Sequence, residues 1–144
     1  MGKVDEFISI FEYWRKRLRL PKIPITQDNR YEGHLISIFE NSKPVGICYN
    51  SKKLAEWNYA LIMCGIFHEL AHIKVSNFPY DTNEDKIKEE YRAERYALDM
   101  INKYYPFMLK TIVKHTKSKL NSSIWRRRYP IHYHAFTQIK EYMI

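Results

Sequence analysis

Residues 54–75 read LAEWNYALIMCGIFHELAHIKV. Leu61, Ile62, Met63, Cys64, Ile66, Phe67, Leu70, Ala71 and Ile73 fall on every side of a 3.6-residue period, so the segment is predicted to be a helix buried all round. Within it stands His68-Glu69-Leu70-Ala71-His72. On a helix these two histidines lie one turn apart on one face, where two imidazole nitrogens can meet one tetrahedral Zn2+. Glu69 lies about 100° round the helix, beside such an ion without ligating it. From there a carboxylate can take a proton from water at the metal and later pass it to a leaving amine. Two histidines and a glutamate on the most apolar helix of the chain are costly to bury unless something compensates them.

A zinc site needs a third protein ligand and a position for water. The extended pattern His-x-x-Gly-x-x-His is excluded, because Val75 and Phe78 stand three and six residues after His72. A second helix must then supply the ligand. Thr82 or Asn83 is placed to cap a helix with Glu84 and Asp85 in its first turn, and Ile87, Tyr91, Ala93, Ala97, Met100, Ile101 and Tyr104 carry it to Pro106. That helix offers Glu89, Glu90, Glu94 and Asp99. Glu90 and Glu94 share a face at i,i+4, beside a small-residue stripe of Ala93 and Ala97 that lets the helix approach the histidines closely. Two carboxylates there suit one metal ligand and one acceptor for the far N–H of a ligand histidine.

His68-Glu69-Leu70-Ala71-His72, followed by Glu90-Tyr91-Arg92-Ala93-Glu94-Arg95-Tyr96-Ala97, resembles the gluzincin metallopeptidases. The likeness is greatest to the small ImmA/IrrE-type members, whose second helix reads E-x-x-A-[D/N]-x-[F/Y]-A, and it covers residues 34–104. It implies one Zn2+ per chain held by His68, His72 and Glu90, with Glu69 as general base. The family's Asp or Asn falls on Glu94, which is one methylene longer. Glu94 is thereby either the partner of a ligand histidine or the third ligand in place of Glu90. Gly46-Ile47-Cys48-Tyr49-Asn50 also resembles the strand before the zinc helix in that family, an edge along which an extended peptide can lie. The resemblance thus implies a zinc metallopeptidase acting on a protein or peptide substrate, with narrow, regulatory specificity often directed at a DNA-binding repressor. In size the chain is also similar to the minigluzincins, which implies an alternative: a latent peptidase masked by its own C-terminal segment or by a neighbouring subunit. An added Tyr, His or Arg donor usually holds the oxyanion in such enzymes. Tyr80, His115, Arg128, Tyr129, His132, Tyr133 and His134 are the candidates, and the sequence singles out none of them.

Elsewhere, Val4, Phe7, Ile8, Phe11, Trp14 and Leu18 mark an amphipathic helix over 4–20 that Pro21 and Pro24 end. Residues 34–39 and 45–49 predict a β-hairpin. Leu109 to Leu120 predicts another helix, Asn121-Ser122-Ser123 a break, and 135–143 a short last helix. With 144 residues there is room for one domain, read as a mostly helical α+β fold over 1–144, its core at 34–104 and a basic helical segment at 105–144. Cys48 and Cys64 are too few for a disulfide framework and are expected to act as small apolar side chains.

The net charge of +8 points first to an anionic partner. Its distribution separates it from the metal motifs. Residues 105–144 hold eight basic residues against one acidic, whereas 31–104 hold nine against eleven. Arg126, Arg127 and Arg128, between Trp125 and Tyr129, are the candidate contacts for nucleic acid or an acidic or nucleic-acid-bound partner. A second functional class follows, a basic nucleic-acid-associated protein whose metal site is structural or vestigial. Mean hydropathy is -0.53 and no apolar run approaches the roughly 18–20 residues of a membrane span, so no membrane association is expected. The first residues lack the basic and apolar regions of a signal peptide, and the expected location is cytoplasmic.

Overall fold

Phe7, Phe11 and Trp14 recur at helical spacing between an acidic first turn (Asp5, Glu6) and a basic last one, and α1 forms over Lys3–Arg17. The structure, a computed structural model, describes residues 2–74, 79–139 and 142. Part of the expected 76–83 loop and the end of the expected last helix lie outside these residues, as do Val75 and Phe78.

Three strands follow: β1 (Ile25–Gln27), β2 (Leu35–Glu40) and β3 (Lys43–Tyr49). The hairpin between β2 and β3 is as predicted. Its two loop residues, Asn41 and Ser42, both have positive φ, 51° and 62°, which matches a turn of the hand that suits twisted strands. β1 was not foreseen; three residues are too short to show alternation. It pairs in parallel with β3, giving the order β1-β3-β2. The expectation of an edge strand at Gly46–Asn50 is therefore corrected: β3 is central, bonded on both sides, and β2 is the edge that continues toward the histidines.

The long helix expected from Leu54 is two helices, α2 (Ser51–Glu56) and α3 (Tyr59–Lys74). Asn50 Oδ1 caps α2 by accepting from the N–H groups of Lys52 and Lys53, Trp57 turns extended, and Asn58 Oδ1 accepts from Leu61 N–H at the start of α3. α4 (Asn83–Tyr104) opens with a full capping box between Thr82 and Asp85. A 3-10 turn at Pro106–Met108 leads to α5 (Leu109–Leu120), α6 (Ser123–Arg128) and α7 (Pro130–Phe136). The arginine triplet is helical, because Ser122 Oγ accepts from Trp125 N–H and restarts the chain at once after the expected break. The last helix begins five residues earlier than expected, since Pro130 is well suited to a first helical turn.

These elements form a mostly helical α+β domain. α3 runs through its middle, with α4 alongside, the sheet on one side, and α1, α5 and α7 closing the core. Ala71, Ala93 and Ala97 are fully buried and let α3 and α4 approach. Trp14 joins three of the layers, its ring 5.0 Å from Phe67 and 4.9 Å from Tyr104. Among the described residues no helix is long and apolar enough to cross a membrane.

Trp14→Ala removes the largest buried side chain and is expected to cost about 3–5 kcal/mol of unfolding free energy in a urea titration. Thr82→Ala, which removes only the α4 cap, should cost about 1 kcal/mol. Equal effects from the two would contradict this placement of the core.

Candidate functional site

The turn of α3 from His68 to His72 brings the two imidazoles together, with their Nε2 atoms 3.2 Å apart. α4 presents Glu90 to both. Its Oε2 is 2.8 Å from His68 Nε2 and its Oε1 3.2 Å from His72 Nε2. All three residues are buried. Nitrogen, nitrogen and carboxylate oxygen converging from two helices form a donor set that suits zinc.

Glu69 points to the sheet. Its Oε1 accepts from both the backbone N–H and the hydroxyl of Ser37, each at 3.0 Å. Ser37 lies in β2, and that N–H is on the strand's free edge, so Glu69 ties α3 to the edge strand. Glu94 lies one turn beyond Glu90. Its Oε1 is 3.8 Å from His68 Nδ1, an ionic contact, and accepts from Cys64 Sγ at 3.3 Å. Between Glu90 and Glu94, Glu90 is the one facing both Nε2 atoms.

Three partners of the cluster were not singled out from sequence. Glu89 Oε2 is 2.8 Å from His72 Nδ1, and the Glu89 carboxylate is clamped by Arg92, which also donates to the carbonyl of Ala71. The Glu89/Arg92 pair at i,i+3 was the available signal, since one buried acid needs one compensating base. His132 of α7 sets its Nε2 3.1 Å from Glu90 Oε2, and Tyr80 donates its hydroxyl to Glu90 Oε1 at 2.9 Å. Both were among the seven candidate donors. Of the others, His115 and Tyr129 line the same cleft, while Arg128 pairs with Glu32 at 2.6 Å, Tyr133 lies under Arg126 and His134 is exposed. Arg126, Arg127 and Arg128 therefore sit on α6 outside the cluster.

Burial opposes charge on every member, and the pairing decides each outcome. For His68 burial is overcome by Glu90 and then by Glu94, which hold its pKa well above the ordinary value. Burial also acts against His72, and Glu90 and Glu89 lift it to about 9. Burial pushes Glu90 up, but His72, His132 and His68 outweigh it and hold the carboxyl well below its usual range. Glu94 and Glu89 are lowered too, against burial, by His68 and by His72 with Arg92 respectively. Glu69 alone among these acids is raised, because its burial exceeds the pull of the histidines. It is thus the most basic carboxylate of the group.

The cluster opens into a cleft of about 380 Å3 between β2, α3, α5 and α7. Comparison with protein-family models, curated proteins and solved structures finds no match.

A pH consequence follows for metal-free protein. His72 has a raised pKa, so its contribution to stability is complete below 6.5 and is lost as pH rises toward 9. Chemical denaturation of chelator-treated protein should show falling stability over that window, and a smaller fall in Glu89→Gln. A flat profile from pH 6.5 to 9 would contradict the pairing.

Proposed function

We propose that the chain is a zinc-dependent metallopeptidase that hydrolyses peptide bonds. The observation supporting this most is the convergence of His68 Nε2, His72 Nε2 and Glu90 on one point, beside a separately anchored Glu69. The residues fit the ion: two imidazoles and one carboxylate are the ligand set of a catalytic zinc, and Glu89 and Glu94 accept from or face the far nitrogens, as orienting carboxylates do. Zinc at this place supplies Lewis-acid charge that makes water nucleophilic at neutral pH and polarises a carbonyl.

The chain's own residues supply the rest. Glu69, raised by burial and fixed by Ser37, takes the proton of the attacking water and delivers it to the departing amine. The outer edge of β2, its Ser37 N–H held by Glu69, lies beside the cluster, so an extended peptide can add along the rest of that edge with its scissile bond over the cluster. His132 is a third exposed in its side chain while Glu90 is buried, so it meets both the ligand and the cleft. Both His132 and Tyr80 are bonded to Glu90 here, and once Glu90 turned to a metal they would be free to donate to an oxyanion at the attacked carbonyl. Nothing in the Arg126–Arg128 segment enters this chemistry.

Protein purified without a tag should contain about one zinc per chain. Glu69→Gln should keep the metal and lose at least about 100-fold in peptide cleavage. Glu90→Gln should lose the metal, whereas Glu94→Gln should retain it with affinity lowered about 10–100-fold. Absence of stoichiometric metal, or cleavage undiminished in Glu69→Gln, would sink the assignment.

A further inference from the structure

The His–Glu cluster occupies one end of the cleft. The floor is a continuous face of α3, where Cys64 and Leu61 lie about one and two turns before His68, roughly 6 and 10.5 Å along the axis. This far end has the opposite electrical character. Lys119 and His115 of α5 line it, together with His34 and Lys53. The acids nearby are already engaged: Glu32 by Arg128, and Glu94 by Cys64 and His68.

Among the described residues no carboxylate lies within ion-pair distance of Lys119, whose ammonium instead sits 5.5 Å over the ring of Trp125. His115 Nε2 is buried with no hydrogen-bond partner. The His34 ring stacks on Trp57 at 4.1 Å. The crowding registers in each group. Burial, then Lys119, Lys53 and His115, pushes His34 down to about 4; burial and Lys119 do the same to His115; and burial lowers Lys119. A half-enclosed ammonium whose carboxylate neighbour, Glu94, is already engaged, beside a buried imidazole nitrogen with no partner, is unfavourable by itself and becomes favourable when a ligand brings the anion.

We propose that this end of the cleft is a carboxylate subsite, in which Lys119 and His115 bind an acidic group of the peptide substrate next to the scissile bond. The inference rests on the peptidase reading for its substrate class. Its geometry follows from α3: a side-chain carboxylate of Glu or Asp reaches one to two helical turns from the bond being cut, the separation between the His68 level and the Cys64–Leu61 level. Ile112, Trp57 and Trp125 provide apolar walls for the methylenes of such a side chain. A free C-terminal carboxylate offers the same chemistry from another source.

The test uses full-length Glu69→Gln protein and three random hexapeptide pools: amidated with a fixed Glu, amidated with Gln at that position, and the Gln pool with a free C-terminal carboxylate. Binding is read by tryptophan fluorescence, since Trp57 and Trp125 line this end and Trp14 is buried in the core. The Glu pool should bind at least about tenfold tighter than the amidated Gln pool, with the advantage falling as salt rises. A gain for the free-carboxylate pool instead also supports the subsite and assigns the terminus as its source. Lys119→Met should erase the selectivity and Lys119→Arg should keep part of it. Equal binding of all three pools overturns the proposal, and that comparison needs no variant at Lys119. Selective binding without cleavage by the wild type would remove the peptidase reading and leave the subsite standing. Cleavage with no preference for Glu over Gln would remove the subsite alone.

Discussion

Six ionisable side chains, His68, Glu69, His72, Glu89, Glu90 and Glu94, are buried where α3 meets α4 and β2. Any one of them alone would destabilise the fold by several kcal/mol, because a charge removed from water needs both a partner and hydrogen bonds. Each has both. Glu89 is held by Arg92 and His72, Glu94 by Cys64 and His68, Glu69 by Ser37, and Glu90 by two imidazoles and Tyr80. The alanines between the helices set the spacing that makes these contacts short, and the capping box at Thr82 fixes where α4 begins and so which carboxylates face α3.

This explains which parts could be read from the chain and which could not. The two histidines and Glu69 are legible because their relation is local, fixed by 3.6 residues per turn. Glu90 and Glu94 are legible at one remove, since an amphipathic helix with an alanine stripe shows which side it buries. Glu89 was not singled out because it lies off that side; its buried carboxylate against His72 is compensated by Arg92. His132 was hidden because it comes from a short helix sixty residues later, on a basic and aromatic segment with no periodic signal of its own. The same holds for β1, three residues whose only strand signal is their pairing with β3. Trp57 and Asn58 divided the apolar run because a side-chain cap outweighs hydrophobic continuity.

The charge of the chain also changes meaning once folded. Its excess lies in 105–144, a segment separate in sequence from the motifs, yet α5 and α7 return across the cleft. One consequence is a cleft with two poles, carboxylates and imidazoles at the α4 end and Lys119 with its neighbours at the other. The arginines of α6 stay outside, with Arg128 on Glu32 and Arg126 over Tyr133. The basic segment thus contributes walls and a cationic pole to the same site.

The central claim is that α3 and α4 build one zinc site from two imidazoles and the carboxylate of Glu90. Zinc-edge X-ray absorption on the reconstituted full-length protein tests it most directly. The account predicts a shell of nitrogen and oxygen only, with the multiple-scattering signature of two or more imidazoles and no sulfur. A sulfur scatterer, which would place Cys64 on the metal, or a spectrum of hydrated zinc with no imidazole signature, would contradict it.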